Sequence, residues 1–249
     1  MTLNTQICFT TFKFTSSKRV NLSHAYSLNK ITNLFSQEHE LMLRGKFAVR
    51  LPSKREIQVV IPLKLDFKLI SEYVNKVKAV TNLELIEVSF NQSPFKRYLK
   101  SYDQRIKVVH LTYLTPCQFS LSIIKGAKDP FKYVRELYDI MPTPKNILLN
   151  ISKYLKKTFN IDLRVATLKA IARHTLVPTY LNLSSYRAEL PSGKYLIGSI
   201  GEVEYLMNPR VEKRYRRLAL ALLKIGELVN LSKNRGLGLG TVVVKTTMS

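Results

Sequence analysis

The order in which strand-like and helix-like segments follow one another constrains this chain most. Apolar residues alternating with polar ones read as strands, and apolar residues recurring every three or four positions read as helices. Residues 6–14, with Ile7, Phe9, Thr11 and Phe14, read as a strand. Ser23 is expected to cap a helix over residues 24–35, striped by Leu28, Ile31, Leu34 and Phe35, and Ser36 a short second helix reaching Met42. Strands follow at 47–51 and 56–65, a helix at 67–80, and strands at 83–90 and 105–113. The order β-α-β-β-α-β is that of the ferredoxin-like motif.

The remainder repeats that order loosely. A strand is expected at 118–125, then helices at 129–140 and 145–159, broken apart by Pro142 and Pro144. A strand pair at 176–187 and 194–207 turns at Pro191-Ser192-Gly193. Asn208-Pro209 carries the signals of a helix start, the helix running to residue 228, and a last strand covers 241–245. The expected fold is therefore α+β, two tandem ferredoxin-like (RRM-like) domains over residues 1–117 and 118–249, meeting at Thr115-Pro116-Cys117.

Charge constrains the partners. The chain carries 40 Lys and Arg against 17 Asp and Glu, a net +23 over 249 residues, and its 45% hydrophobic content is ordinary for a folded protein. Such a surface attracts the phosphate backbone of nucleic acid, because each phosphate neutralised releases counterions. Two cysteines, Cys8 and Cys117, suit neither a disulfide framework nor a zinc site. No apolar run reaches the roughly 18 residues of a membrane span, and no secretory signal is visible, so a soluble cytoplasmic protein is expected.

The sharpest local feature is Lys233-Asn234-Arg235-Gly236-Leu237-Gly238-Leu239-Gly240. Gly236, Gly238 and Gly240 remove β-carbons at alternate positions, so a phosphate or a base can lie against backbone amides, with Lys233 and Arg235 alongside. The order of lysine and glycines is not that of a Walker loop, and the segment precedes a strand, unlike a Rossmann fingerprint. The competing reading is a plain turn between helix and strand. Arg210, Lys213, Arg214, Arg216 and Arg217 crowd the start of the last helix with one carboxylate, Glu212, and the helix dipole adds to their pull on phosphate.

Gly201-Glu202-Val203, the helix containing Leu222-Leu223-Lys224-Ile225-Gly226, and the run from Asn234 to Val244 resemble the C-terminal region of the CRISPR-associated repeat-processing endoribonucleases, the Cas-six family. That family ends in a helix, a glycine-rich loop with an embedded Lys or Arg, and a short strand. The resemblance is close over residues 193–245 and loose in the N-terminal half. The family's usual earlier G-x-G is replaced here by Asn230-Leu231-Ser232.

The resemblance implies a site as well. His39 lies eight residues before Phe47, as a family histidine lies before its strand, and His24 and Tyr26 stand where a second His or a Tyr is common. Some relatives rely on lysines, which adds Lys30 and Lys46. The implied activity is metal-independent cleavage of CRISPR repeat RNA by 2′-OH attack, leaving 2′,3′-cyclic phosphate and 5′-OH ends, with no cofactor. Such chemistry needs a base, an acid and a cation, which His and Lys supply near neutral pH. Implied partners are repeat RNA and other CRISPR effector subunits, with the protein a monomer or homodimer. The alternative is a repeat-RNA-binding subunit that does not cut. His110 and His174 read as structural, and Glu202 and Glu204 as salt-bridge partners.

Overall fold

A computed structural model describes residues 6–41, 43, 46–95, 99, 106–120, 138–189, 193 and 195–248. The expected helix at 129–140 lies almost wholly outside these residues, as do the end of the 118–125 strand and the Pro191-Ser192 turn.

The first unit runs β1 (Gln6–Thr15), α1 (Leu22–Glu38), β2 (Ala48–Arg50), β3 (Glu56–Ile61), α2 (Phe67–Val80) and β4 (Glu84–Pro94). Its sheet has the order β2-β3-β1-β4, with antiparallel neighbours. Alternation explains the layer. Phe12 and Phe14 of β1 and Ile57, Val59 and Ile61 of β3 pack under Ala25, Leu28, Ile31 and Phe35 of α1 and Tyr73 and Val77 of α2. Each such side chain contributes roughly 1.5–3 kcal/mol by leaving water.

The second unit runs β5 (Ile106–Cys117), β6 (Phe119–Ser120), β7 (Tyr138–Asp139), α3 (Pro144–Phe159), α4 (Val165–His174), β8 (Leu176–Glu189), β9 (Tyr195–Met207), α5 (Lys213–Val229) and β10 (Val242–Met248). The order of its main sheet is β10-β5-β9-β8. Counted from β5, the unit is again β-α-β-β-α-β, so both halves are ferredoxin-like.

This corrects the expected boundary. The periodicity places the strand at 105–113 in the first unit, with the division at 117. Instead β5 extends through Thr115-Pro116-Cys117 and pairs with β9 and β10, opening the second sheet, with a register shift against β9 between Tyr113 and Cys117. The chain changes sheets between β4 and β5.

The two units share a core. The face of the first sheet turned away from α1 and α2 presents Ile7, Phe9, Ala48 and Val60 to the second unit's interior. Phe9 meets Phe159 of α3 edge-on at 5.5 Å between ring centroids.

Helix ends differ from expectation in detail. Asn21, not Ser23, caps α1, and its Oδ1 accepts from the Ser23 and His24 amides. The helix does not break at Ser36 but runs through Glu38. The last long helix begins at Lys213 rather than beside Pro209, because the Asn208 side chain is engaged otherwise: its Oδ1 accepts from Arg210 N–H at 3.0 Å and its Nδ2 donates to His174 O at 3.0 Å.

Candidate functional site

The 17-residue helix α1 lies along the glycine loop, and the seam between them organises the surface. The loop follows α5, makes a single 3-10 turn over Arg235–Leu237 and enters β10. It holds both units. Asn230 Nδ2 donates to Val49 O at 2.7 Å, and Leu51 N–H donates to Thr241 Oγ1 at 3.1 Å. On the other side Thr115 Oγ1 donates to Gly238 O at 2.7 Å, and Gly240 N–H donates to Pro116 O at 2.9 Å.

The glycines serve this packing. A β-carbon on Gly236 would stand 2.6 Å from Asn29 Nδ2, and one on Gly238, at φ +81°, 2.8 Å from Ala25 Cβ. At Gly240, with φ +72°, it would stand 2.7 Å from Leu231 O. Gly238 and Gly240 are buried. At Gly238 and Gly240 the close approach is therefore to protein and not to a bare surface, whereas Gly236 is half-buried and also lines a surface cleft.

Arg235 is likewise turned inward. It is 6% exposed, with its guanidinium 4.4 Å over the Tyr154 ring. Its Nη2 donates to Asn150 Oδ1 at 2.8 Å and its Nη1 to Val229 O at 3.4 Å. Burial pulls its pKa down to about 10. It is a structural pin and not the phosphate ligand the sequence suggests. Lys233, by contrast, lines a cleft on the surface.

The candidate catalytic residues do not gather at one point. His24 and His39 lie fifteen residues apart near opposite ends of α1, about 22 Å along the axis. They cannot serve one phosphate together. His24 completes the capping box that Asn21 opens: its Nδ1 accepts from Asn21 N–H at 3.3 Å. Tyr26 and Lys30 form a pair one turn apart, the ammonium 4.9 Å from the ring centroid. His39 is the C-cap of α1, packs its ring 4.6 Å from Phe35 and places Nε2 2.9 Å from Glu72 Oε1 of α2. Lys46 closes the turn after α1 through its amide, which donates to Leu43 O at 2.8 Å.

Folding also assembles a His/Glu cluster that sequence spacing does not show. One ligand atom each of Glu38, His39 and Glu72 lie within 4.8 Å of one another. Glu38 is already bridged to Lys76 at 2.5 Å and Glu72 to His39.

Two clefts flank the seam. One, of about 620 Å³, lies between the middle and end of α1 and the loop, lined among others by Asn29, Asn33, Gln37, Glu40, Lys233 and Asn234. None of the five candidate catalytic residues lines it. The amides at 29, 33 and 37 recur every four residues on one face of α1, a signal that reading for histidines passes over. The other cleft, of about 760 Å³, lies between the units at the start of α1. Arg19, Lys54, Arg187, Asn21, Ser23 and Tyr186 line it, with one carboxylate, Glu189. Arg19 and Lys54 belong to the adjacent basic pairs Lys18-Arg19 and Lys54-Arg55, a weak but readable signal.

The basic start of α5 stands apart. Arg210, Lys213 and Arg214 are exposed, Arg217 is half-buried, and Arg214 Nε is bridged to Glu212 at 2.9 Å. The length of α5, about 25 Å, separates them from the glycine loop. His174 shares a groove with Arg210, while His110 pairs with Glu204 at 3.2 Å across the second sheet.

No family model matches the chain, and no curated protein matches it. Solved structures do. A Cas6 of Thermus thermophilus superposes with a TM-score of 0.61 at 14% identity, over 97% of this chain and 98% of that one. A Cas6 solved as a product complex gives a TM-score of 0.67 at 13% identity, over 96% and 99%. A chain of a partial Cas6-RT-Cas1–Cas2 complex gives 0.61 at 15% identity, this chain spanning 46% of it. The protein therefore has the two-domain fold of Cas6 structures. No helix among the described residues is long and apolar enough to cross a membrane.

Proposed function

We propose that this protein binds CRISPR repeat RNA and cleaves it by attack of a 2′-OH on the adjacent phosphate. The near-full-length match to a Cas6 solved as a product complex supports the reading best, and the net charge of +23 agrees with a phosphate-backbone partner.

In this reading the inter-unit cleft with Arg19, Lys54 and Arg187 holds the backbone. His39 takes the proton of the attacking 2′-OH, and the departing 5′-oxygen takes its proton from solvent. Glu72, 2.9 Å from Nε2, fixes the ring and its tautomer, leaving Nδ1 to accept a proton, the role a carboxylate plays behind many catalytic histidines. Lys46, just past α1, supplies charge to the phosphorane.

A non-cleaving repeat-RNA-binding subunit is the second reading. It is favoured by one observation: His39 is held on the α2 side and does not line the cleft between α1 and the loop.

Incubation with repeat RNA in EDTA separates the two. Under the first reading cleavage persists, a 2′-deoxy nucleotide 5′ of the cut abolishes it, and His39→Ala slows single-turnover cleavage about 100-fold or more with little change in binding. Binding without cleavage establishes the second reading. A rate within about threefold of wild type in His39→Ala removes His39 from the chemistry, since proton transfer is worth far more than that.

A further inference from the structure

The cleft between α1 and the glycine loop is of a size that holds a small ligand, and its hydrogen-bonding groups have a definite sense. Asn33 Nδ2 is spent on Asn29, donating to its backbone O at 2.9 Å and its Oδ1 at 3.1 Å. Asn234 Nδ2 donates to Gln118 Oε1 at 3.3 Å. The oxygens of both amides are therefore left as acceptors. Glu40 adds a carboxylate, with no ion-pair partner among the described residues. Asn29 is the opposite case: its Oδ1 is taken by Asn33 and its Nδ2 is turned toward Gly236. The lining thus offers several acceptors, the Asn29 amide donor, and the Gln37 amide and Lys233 ammonium, over an apolar floor that includes Leu41 and Leu237.

Glu40 is placed there against backbone preference. It occupies the left-handed position after α1, at φ +52°. Its amide donates to Gln37 O at 3.2 Å and the Leu41 amide to Ser36 O at 2.8 Å, the two bonds of a Schellman turn. Glycine is the usual residue at that position because it alone adopts the conformation without strain. Glu40 is exposed, on the rim of the cleft. A carboxylate kept in a strained conformation on the rim of a cleft points to a ligand.

We infer that this cleft reads one unpaired guanine of the RNA, with Glu40 as the residue that selects it. Guanine alone among the four bases carries two adjacent N–H donors, N1–H and N2–H₂, and a carboxylate accepts such a pair side by side, as it does a guanidinium fork. O6, next to them, is an acceptor that Asn29 Nδ2 can meet. Adenine and cytosine offer a single donor group beside acceptors, and uracil one N–H flanked by two carbonyls that a carboxylate repels. The inference rests on the RNA-binding reading above, but not on cleavage.

Short RNAs test it: uridine nonamers with one central G, A or C, titrated into the intact protein at low salt. The G-containing nonamer should bind at least about 5-fold tighter than the others, the discrimination a bidentate base contact supplies. In Glu40→Gln that preference should fall within twofold. Glu40→Gly should lose it too, while melting at the same or a higher temperature, because glycine relieves the left-handed strain. A purely structural Glu40 would show the reverse, a lower melting temperature with the preference kept. Equal binding of all three nonamers by the wild type, or an equal preference in wild type and Glu40→Gln, overturns the inference and leaves RNA binding standing. No binding to any nonamer at low salt removes the RNA reading, and this inference with it.

Discussion

A buried arginine is an expensive residue to keep, and Arg235 shows why it is kept. Burial holds its pKa down at about 10, so at neutral pH the charge opposes folding. That opposition fades only as pH rises past the folded-state value. What offsets it is the Tyr154 ring at 4.4 Å and the acceptors on Asn150 and Val229, which tie the loop to α3 and the end of α5. Arg235→Ala leaves those acceptors unmatched and opens a cavity, and should cost about 3 kcal/mol of stability. It removes no phosphate contact, so the salt dependence of RNA binding by the folded protein should not change. Denaturant titration and RNA binding across a salt series check both halves. An unchanged unfolding midpoint with a flatter salt slope would instead place the guanidinium on RNA.

At the scale of elements, the glycine loop is a packed joint, and glycine variants measure it. Gly240 and Gly193 both have positive φ, +72° and +73°. They differ in surroundings: a β-carbon on Gly240 would meet Leu231 O at 2.7 Å, while nothing lies within 4 Å of one on Gly193. Gly193→Ala should cost only the conformational strain, about 1 kcal/mol. Gly240→Ala adds overpacking and should cost about 2–4 kcal/mol in total. Equal losses in thermal unfolding would mean the loop yields freely. The loop's existence was legible in the sequence, and so was the β-α-β-β-α-β order, because periodicity is local. What periodicity does not carry is pairing. The strand at 105–113 has the same alternation in either sheet, and only its hydrogen bonds to β9 and β10 assign it to the second. The inward turn of Arg235 was hidden for the same reason: Asn150 and Tyr154 lie some eighty residues away in the chain. At the candidate site, His39 was visible as a histidine, whereas Glu72 became its partner only when α2 packed beside α1.

For the whole molecule, a net charge of +23 guarantees attraction to RNA but not a path for it, since the field of each surface cation decays over about 8 Å at physiological ionic strength. The path must follow cations that stand close together. Arg19, Lys54 and Arg187 do so in the inter-unit cleft. The cluster of Arg210, Lys213 and Arg214 does not join them. It follows the end of β9, beside Leu176 at the start of β8, and Arg187 lies eleven residues along β8, about 35 Å away. Glu212 further neutralises Arg214. For a short single-stranded RNA the two regions should therefore act separately. Replacing Arg19, Lys54 and Arg187 together by Gln should lower the salt slope of log K by about 2, at roughly 0.7 per contact. Replacing Arg210 and Lys213 by Gln should leave that slope unchanged. With a full-length repeat, the second pair should matter only if the RNA extends along α5, and then by about 1.4 at the same increment. A slope that falls for Arg210 and Lys213 with the short RNA, and holds for the cleft variant, would move the RNA from the groove between the units to the start of α5.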